Sequence, residues 1–132
     1  MTTRNDHTYM YNGKIAKDTT TRLCYTMLIS PAFKDLSTRQ RMLYVYAKTE
    51  FFGSRDRPRK KFKEFDSDIY FYLNHYLLSS IYELYPKTNK KGLYDDIKAL
   101  ISHGFIENVT NGRANQQRSI YKYSDKWKTW EK

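Results

Sequence analysis

Cysteine is nearly missing from the chain. Cys24 is the only one, so no intrachain disulfide can form, which fits a reducing cytoplasm. It lies in an alternating apolar segment, where burial is expected rather than nucleophilic reactivity. No apolar run approaches the roughly 18 residues of a membrane span, and the polar N-terminus lacks the apolar centre of a secretion signal. The five glycines compose no phosphate-binding loop. His7, His75 and His103 have no metal-ligand spacing with Cys24. An acidic nuclease pair would have to use Asp66, Asp68 and a distant carboxylate, and no spacing favours it. An enzyme, a metal or a cofactor is therefore not expected. Repeats and low-complexity tracts do not stand out. Acidic side chains are also scarce: 14 Asp+Glu against 24 Lys+Arg give a net charge of +10. That excess concentrates polyanions around the protein, which makes nucleic acid the first partner to consider.

The 132 residues present are one domain's worth. Aromatic residues make up 17% of them, with 13 tyrosines. Most of these rings are expected in the core and at its rim, with hydroxyls able to bond phosphates. Asn108-Val109-Thr110 matches the glycosylation triplet, which in a cytoplasmic protein is a chance match.

The most informative stretch runs from Thr88 to Tyr123. Leu93, Ile97, Leu100 and Ile101 form one apolar stripe at helical period. Gly104 follows, placed to close the helix in a left-handed conformation. Phe105 to Val109 reads as a strand, Asn111-Gly112 as a hairpin turn, and Ser119 to Tyr123 as the returning strand. Between them, residues 113–118 are polar and carry two arginines and no acid. Helix, glycine, strand, basic loop, strand is the order that ends a winged helix-turn-helix. The expected fold is mainly α (α+β): a winged helix-turn-helix over residues 21–124 with a small antiparallel sheet and a β-hairpin wing.

The remaining chain reads as support for this unit. Residues 1–20 are polar and threonine-rich, expected to be a flexible N-terminal arm. Leu23, Tyr25, Met27 and Ile29 alternate as in a short strand, and Pro31 begins a helical turn through Leu36. Ser37 and Gln40 form a capping box for a helix that continues to about Phe52, with Gly53 as its stop. Gly53 to Lys63 is the most basic segment, with Arg55, Arg57, Arg59, Lys60, Lys61 and Lys63 against Asp56 alone. It reads either as a phosphate-binding strip or as a solvated loop. Ile69 to Tyr72 suggests a strand. Asn74 caps a further helix striped by Leu77, Ile81, Leu84 and Tyr85 and limited by Pro86. In the tail, residues 125–132, Trp127 and Trp130 stand at i, i+3. A segment this short is not a stable helix alone, so its indoles either dock it on the body or serve a homodimer.

Three groups of residues make up the candidate DNA interface. On the helix from about Asn89 to His103 and the turn before it, Lys87, Asn89, Lys90, Lys91, Tyr94, Asp95 and Lys98 fall away from the apolar stripe, toward solvent or a major groove. Asp95 can accept from cytosine N4, although Asp95 and Asp96 both repel phosphate. On the wing, Gly112, Arg113, Gln117 and Arg118 would lie against phosphate or the minor groove. The basic loop supplies the third group. An ordinary amphipathic helix with a plain polar hairpin is the competing reading.

Several phrases resemble those of small helix-turn-helix proteins encoded on conjugative and integrative elements and plasmids of Gram-positive bacteria. They are Ser30-Pro31-Ala32-Phe33-Lys34-Asp35-Leu36-Ser37, the helix with Leu43-Tyr44, Phe51-Phe52-Gly53, Leu93-Tyr94-Asp95-Asp96, Leu100 to Ile106 and Ile120 to Trp127. The likeness spans about residues 25–130. A replication-initiator winged-helix domain is similar over the first half. The resemblance implies a cytoplasmic bacterial protein that binds double-stranded DNA in replication, transfer or transcriptional control. It identifies no catalytic residue. Two other readings remain open. One is a protein-interaction module that joins a replication or transfer complex, or inhibits a nucleic-acid enzyme, through exposed tyrosines and Trp127/Trp130. The other is a single-strand binder stacking bases on Tyr70, Phe71 and Tyr72.

Overall fold

Ser37 and Gln40 start the first long helix as their spacing predicts. The Gln40 N–H donates to the Ser37 hydroxyl at 3.2 Å, and the Ser37 N–H donates to the Gln40 side chain at 2.9 Å. Two amides that a helix start leaves orphaned are thereby satisfied. The computed structural model describes residues 21–50, 69–73, 75–110 and 119–132, together with the backbone of two strands at 6–11 and 14–19. Its elements are β1 (Asp6–Tyr11), β2 (Lys14–Thr19), α1 (Tyr25–Leu28), α2 (Pro31–Asp35), α3 (Thr38–Ala47), β3 (Tyr70–Tyr72), a π-helical segment (Leu77–Ile81), α4 (Lys91–Ser102), β4 (Ile106–Thr110), β5 (Ile120–Tyr123) and a 3-10 turn (Lys126–Thr129). This is an α+β arrangement of helices against a small antiparallel sheet ordered β3-β5-β4.

Helix α4 closes as its glycine predicts. Gly104 has φ +85°, its N–H donates to the Ile101 carbonyl, and the Phe105 N–H donates to the Leu100 carbonyl. This is the Schellman arrangement, which satisfies the last carbonyls and turns Phe105 inward beside Leu100. The cap uses Phe105, so the strand begins one residue later than expected, at Ile106. Leu93, Ile97 and Leu100 are buried against α3's Leu43, Tyr44 and Ala47, whereas Ile101 stays partly exposed. Phe105 anchors the centre, edge-on to Phe33 and tilted against Tyr44. Among the tyrosines with described side chains, only Tyr25, Tyr76 and Tyr94 are exposed.

Five expectations change. The expected loose arm over residues 1–20 contains an antiparallel hairpin, with Tyr11 opposite Lys14. β1 carries Thr8, Tyr9 and Tyr11 and β2 carries Ile15 and Thr19, types that favour extended backbone. In sequence, Asn12-Gly13 stands between the two strands, a dipeptide type favoured between hairpin strands. The expected strand at 23–29 is instead the helical turn α1. Only Met27 of that turn is buried, Ser30 Oγ donates to the Met27 carbonyl at 2.6 Å, and Phe33 N–H donates back to Ser30 Oγ. Local capping outweighs alternation here, because a strand gains its stability from a partner strand. Cys24, expected to be buried, is exposed as a result.

Helix α3 ends at Ala47, short of Phe52. Tyr123 OH donates to the Ala47 carbonyl at 2.7 Å and Thr21 Oγ1 to the Lys48 carbonyl at 3.0 Å. These hydroxyls take over carbonyls that the helix end leaves unpaired. Buried Glu50 accepts from Tyr82 OH at 3.0 Å, which draws the chain off the helix axis. The stripe Leu77, Ile81, Leu84, Tyr85 is only partly the buried face: Leu78, Ser79 and Tyr85 are buried, and Ile81 is 58% exposed. The π-helical segment has more residues per turn than an α-helix, so the buried position moves by one from Leu77 to Leu78. The C-terminal tail packs on the body. Trp127 N–H donates to the Gly104 carbonyl at 3.0 Å, its ring lies parallel to Phe105, and Trp130 stacks on His103 at 4.6 Å.

Candidate nucleic-acid interface

Helix α4 has two chemically different faces because its apolar residues recur at helical period. With Leu93, Ile97 and Leu100 buried, Lys91, Tyr94, Asp95 and Lys98 are left exposed. Lys87, Asn89 and Lys90, in the turn and cap before the helix, are exposed too. Asn89 Oδ1 accepts from the Lys91 N–H at 2.8 Å, which orders the entry to the helix. The structure therefore brings the seven sequence-predicted residues of this segment into one exposed stretch. Arg113, Gln117, Arg118 and Gly112 of the wing lie outside the described residues, as do Arg55, Arg57, Arg59, Lys60, Lys61 and Lys63 of the basic loop.

Within the exposed stretch, Lys91 Nζ lies 2.8 Å from Asp95 Oδ2. The Lys91 ammonium, with smaller contributions from Lys98 and Arg39, holds the Asp95 carboxyl below its usual range. An exposed pair of this kind contributes little to stability, so a phosphate can compete with Asp95 for Lys91. Burial raises the pKa of the Tyr121 hydroxyl on β5, and nearby Tyr94 adds to the rise.

Asp96, one residue from Asp95, is 3% exposed. It accepts from Arg39 Nε at 2.6 Å, from Tyr85 OH at 2.7 Å and from Gln40 Nε2 at 3.2 Å. Burial, followed by the bond to Asp96, pushes the Tyr85 hydroxyl far above the usual phenol range. The cluster joins α3, the turn before α4 and α4 itself, and so fixes the helix that carries the lysines. Arg39 is the residue the sequence reading missed. One signal was present: Asp96 stands at i+3 from Leu93, on the buried stripe, where a carboxylate requires a partner.

His103, at the end of α4, lies 2.8 Å from Asp35 Oδ2 and 2.7 Å from the Ala99 carbonyl. The Asp35 carboxyl is held below its usual range by that His103 contact and by Lys132. Among the described residues no group of three or more His, Cys, Asp and Glu side chains is placed to hold a metal. No described helix is long and apolar enough to cross a membrane. Comparison with protein-family models, with curated proteins and with solved structures finds no match.

Proposed function

We propose that the chain is a winged helix-turn-helix protein that binds double-stranded DNA without catalysing a reaction. On this reading α4 enters the major groove and the β4–β5 hairpin lies on flanking DNA. One observation carries it. Helix α4, buried along its inner face, and the turn before it expose Lys87, Lys90, Lys91, Tyr94 and Lys98, and the helix leads into the antiparallel β4–β5 pair. The order α3, β3, π-helical segment, α4, β4, β5, with β5 central in the sheet, supports the winged-helix assignment. In the sequence between β4 and β5, residues 111–118 carry two arginines and no acid. On this reading the protein acts in replication, transfer or transcriptional control of a mobile element in the bacterial cytoplasm, a role that rests on the sequence resemblance alone.

Fluorescence anisotropy of a labelled random duplex over a salt series tests the proposal. About six phosphate contacts give a log–log slope near −5. An excess of unlabelled single strand should compete poorly. Phe71 and Tyr72 are buried, so they offer no ring face for stacking bases, and the single-strand reading loses its platform.

The interaction-module reading gains a different surface from the one expected. Trp127 and Trp130 are half-buried on the body, whereas Tyr25 is 73% exposed beside exposed Leu28 and Ile29. If that reading holds, Tyr25→Ala weakens capture of a protein from the replication or transfer complex and leaves duplex affinity unchanged.

A further inference from the structure

We infer that Arg39, on a different helix from the groove-facing lysines, is a further phosphate-contacting residue that anchors the DNA backbone beside the first turn of α4. The inference rests on the duplex-binding reading above.

Arg39 is held in place on several sides. Its Nε bonds Asp96 at 2.6 Å, and its guanidinium carbon lies 5.1 Å from the centre of the Tyr85 ring. Its Nη2 would lie 3.1 Å from a Cβ at position 92, with Cζ and Nη1 at 3.4 Å. Glycine is a poor helix former, and its use at position 92 leaves room for a flat guanidinium against the helix backbone. Despite these contacts, 47% of the Arg39 side chain remains exposed. A purely internal clamp has no need of that exposure.

The charge is also in the right neighbourhood. Arg39 adds a small share to the positive field that Lys91 and Lys98 exert on Asp95, and its partner Asp96 is the next residue along α4. Lys91 shares its ammonium with Asp95. Arg39 keeps its Nε bond to Asp96 and offers the rest of its fork without rearranging. A guanidinium matches the geometry of phosphate oxygens, and such a contact reads position rather than sequence. Arg39 would set where the backbone lies relative to α4, and the lysines and Tyr94 would face the groove.

The test uses the full chain with a labelled random duplex. Arg39→Gln should reduce the magnitude of the salt slope by about 0.9, equally for duplexes of different sequence. Leu100→Ala, which removes a fully buried side chain and keeps the Arg39 charge, should lower the melting temperature and leave the slope of the folded protein unchanged. If Arg39→Gln stays folded and retains the full slope, Arg39 is only a clamp and the inference is overturned. If Arg39→Gln does not fold, the wild-type protein decides: the Arg39 Nε–H NMR signal should shift on adding duplex and return at high salt. An unmoved signal, while the Lys91 and Lys98 signals move, rejects the inference. Wild-type protein that binds no duplex at low salt overturns the duplex-binding reading itself, and this inference with it.

Discussion

Asp95 and Asp96 are adjacent and chemically identical, and they mark the boundary between the two faces of α4. Asp96 is buried and accepts three side-chain hydrogen bonds, from α3 and from Tyr85. Asp95 is about half exposed and pairs with Lys91 on its own helix. Removing Asp96 orphans a buried hydroxyl and disconnects two helices, whereas removing Asp95 leaves Lys91 to water. The contrast separates two jobs along one helix. The inner face determines where α4 sits, and the outer face determines what it meets. Changes on the inner face should therefore act on stability and leave the salt slope of the folded protein alone. Changes on the outer face should do the reverse.

The largest effect should come from the centre of the inner face. Leu100→Ala removes a fully buried side chain and should cost about 2–5 kcal/mol, read from chemical denaturation. Gly104→Ala should follow. Its Cβ would meet the Trp127 backbone nitrogen at 2.5 Å and occupy φ +85°, so a loss of about 2–3 kcal/mol is expected, the left-handed strain alone being about 1–2. The aspartate pair gives the sharpest version of the comparison. Asp96→Ala should lose about 1–3 kcal/mol, and Asp95→Ala should stay within about 0.5 kcal/mol while raising duplex affinity through lost repulsion. Equal losses of stability in the two variants would erase the distinction between the faces. On the outer face, Lys91→Ala with Lys98→Ala should reduce the salt slope by about 2 and change stability by no more than about 0.5 kcal/mol.

Acid should produce the smallest effect. The Asp35 carboxyl is held below the ordinary carboxylate range by His103 and Lys132. A depressed carboxyl favours the folded state fully above the unfolded value, and that contribution is lost as pH falls through the folded one. Melting temperatures measured from about pH 5 down to about pH 2 should therefore fall less steeply in Asp35→Asn than in the wild type. Parallel curves would show that the His103 contact adds nothing.

Where a structural signal depends on a few neighbouring residues, the sequence reading succeeds. The Ser37/Gln40 capping box, the Gly104 closure and the β4–β5 pairing each depend on local chemistry. Alternation misled at 23–29, because the segment caps itself through Ser30 and inserts Met27 alone. The extra residue of the π-helical segment was illegible for a related reason. Its buried face is chosen by Leu78 fitting the core, against the α-helical period. The N-terminal hairpin leaves a signal in the sequence at Asn12-Gly13, which the polar, threonine-rich composition of residues 1–20 hides. For the candidate site, the exposed residues of 87–98 followed from the apolar stripe. Arg39 did not, because it lies 57 positions from its partner Asp96 in sequence and only the packing of α3 on α4 brings them together.

The duplex anisotropy measurement tests the central claim most directly, comparing wild type with Lys91→Ala/Lys98→Ala over one salt series. The account predicts wild-type binding with a slope near −5 and a slope nearer −3 in the double variant, with the two proteins melting together. An unchanged slope in a folded double variant would contradict the assignment of α4's outer face to DNA.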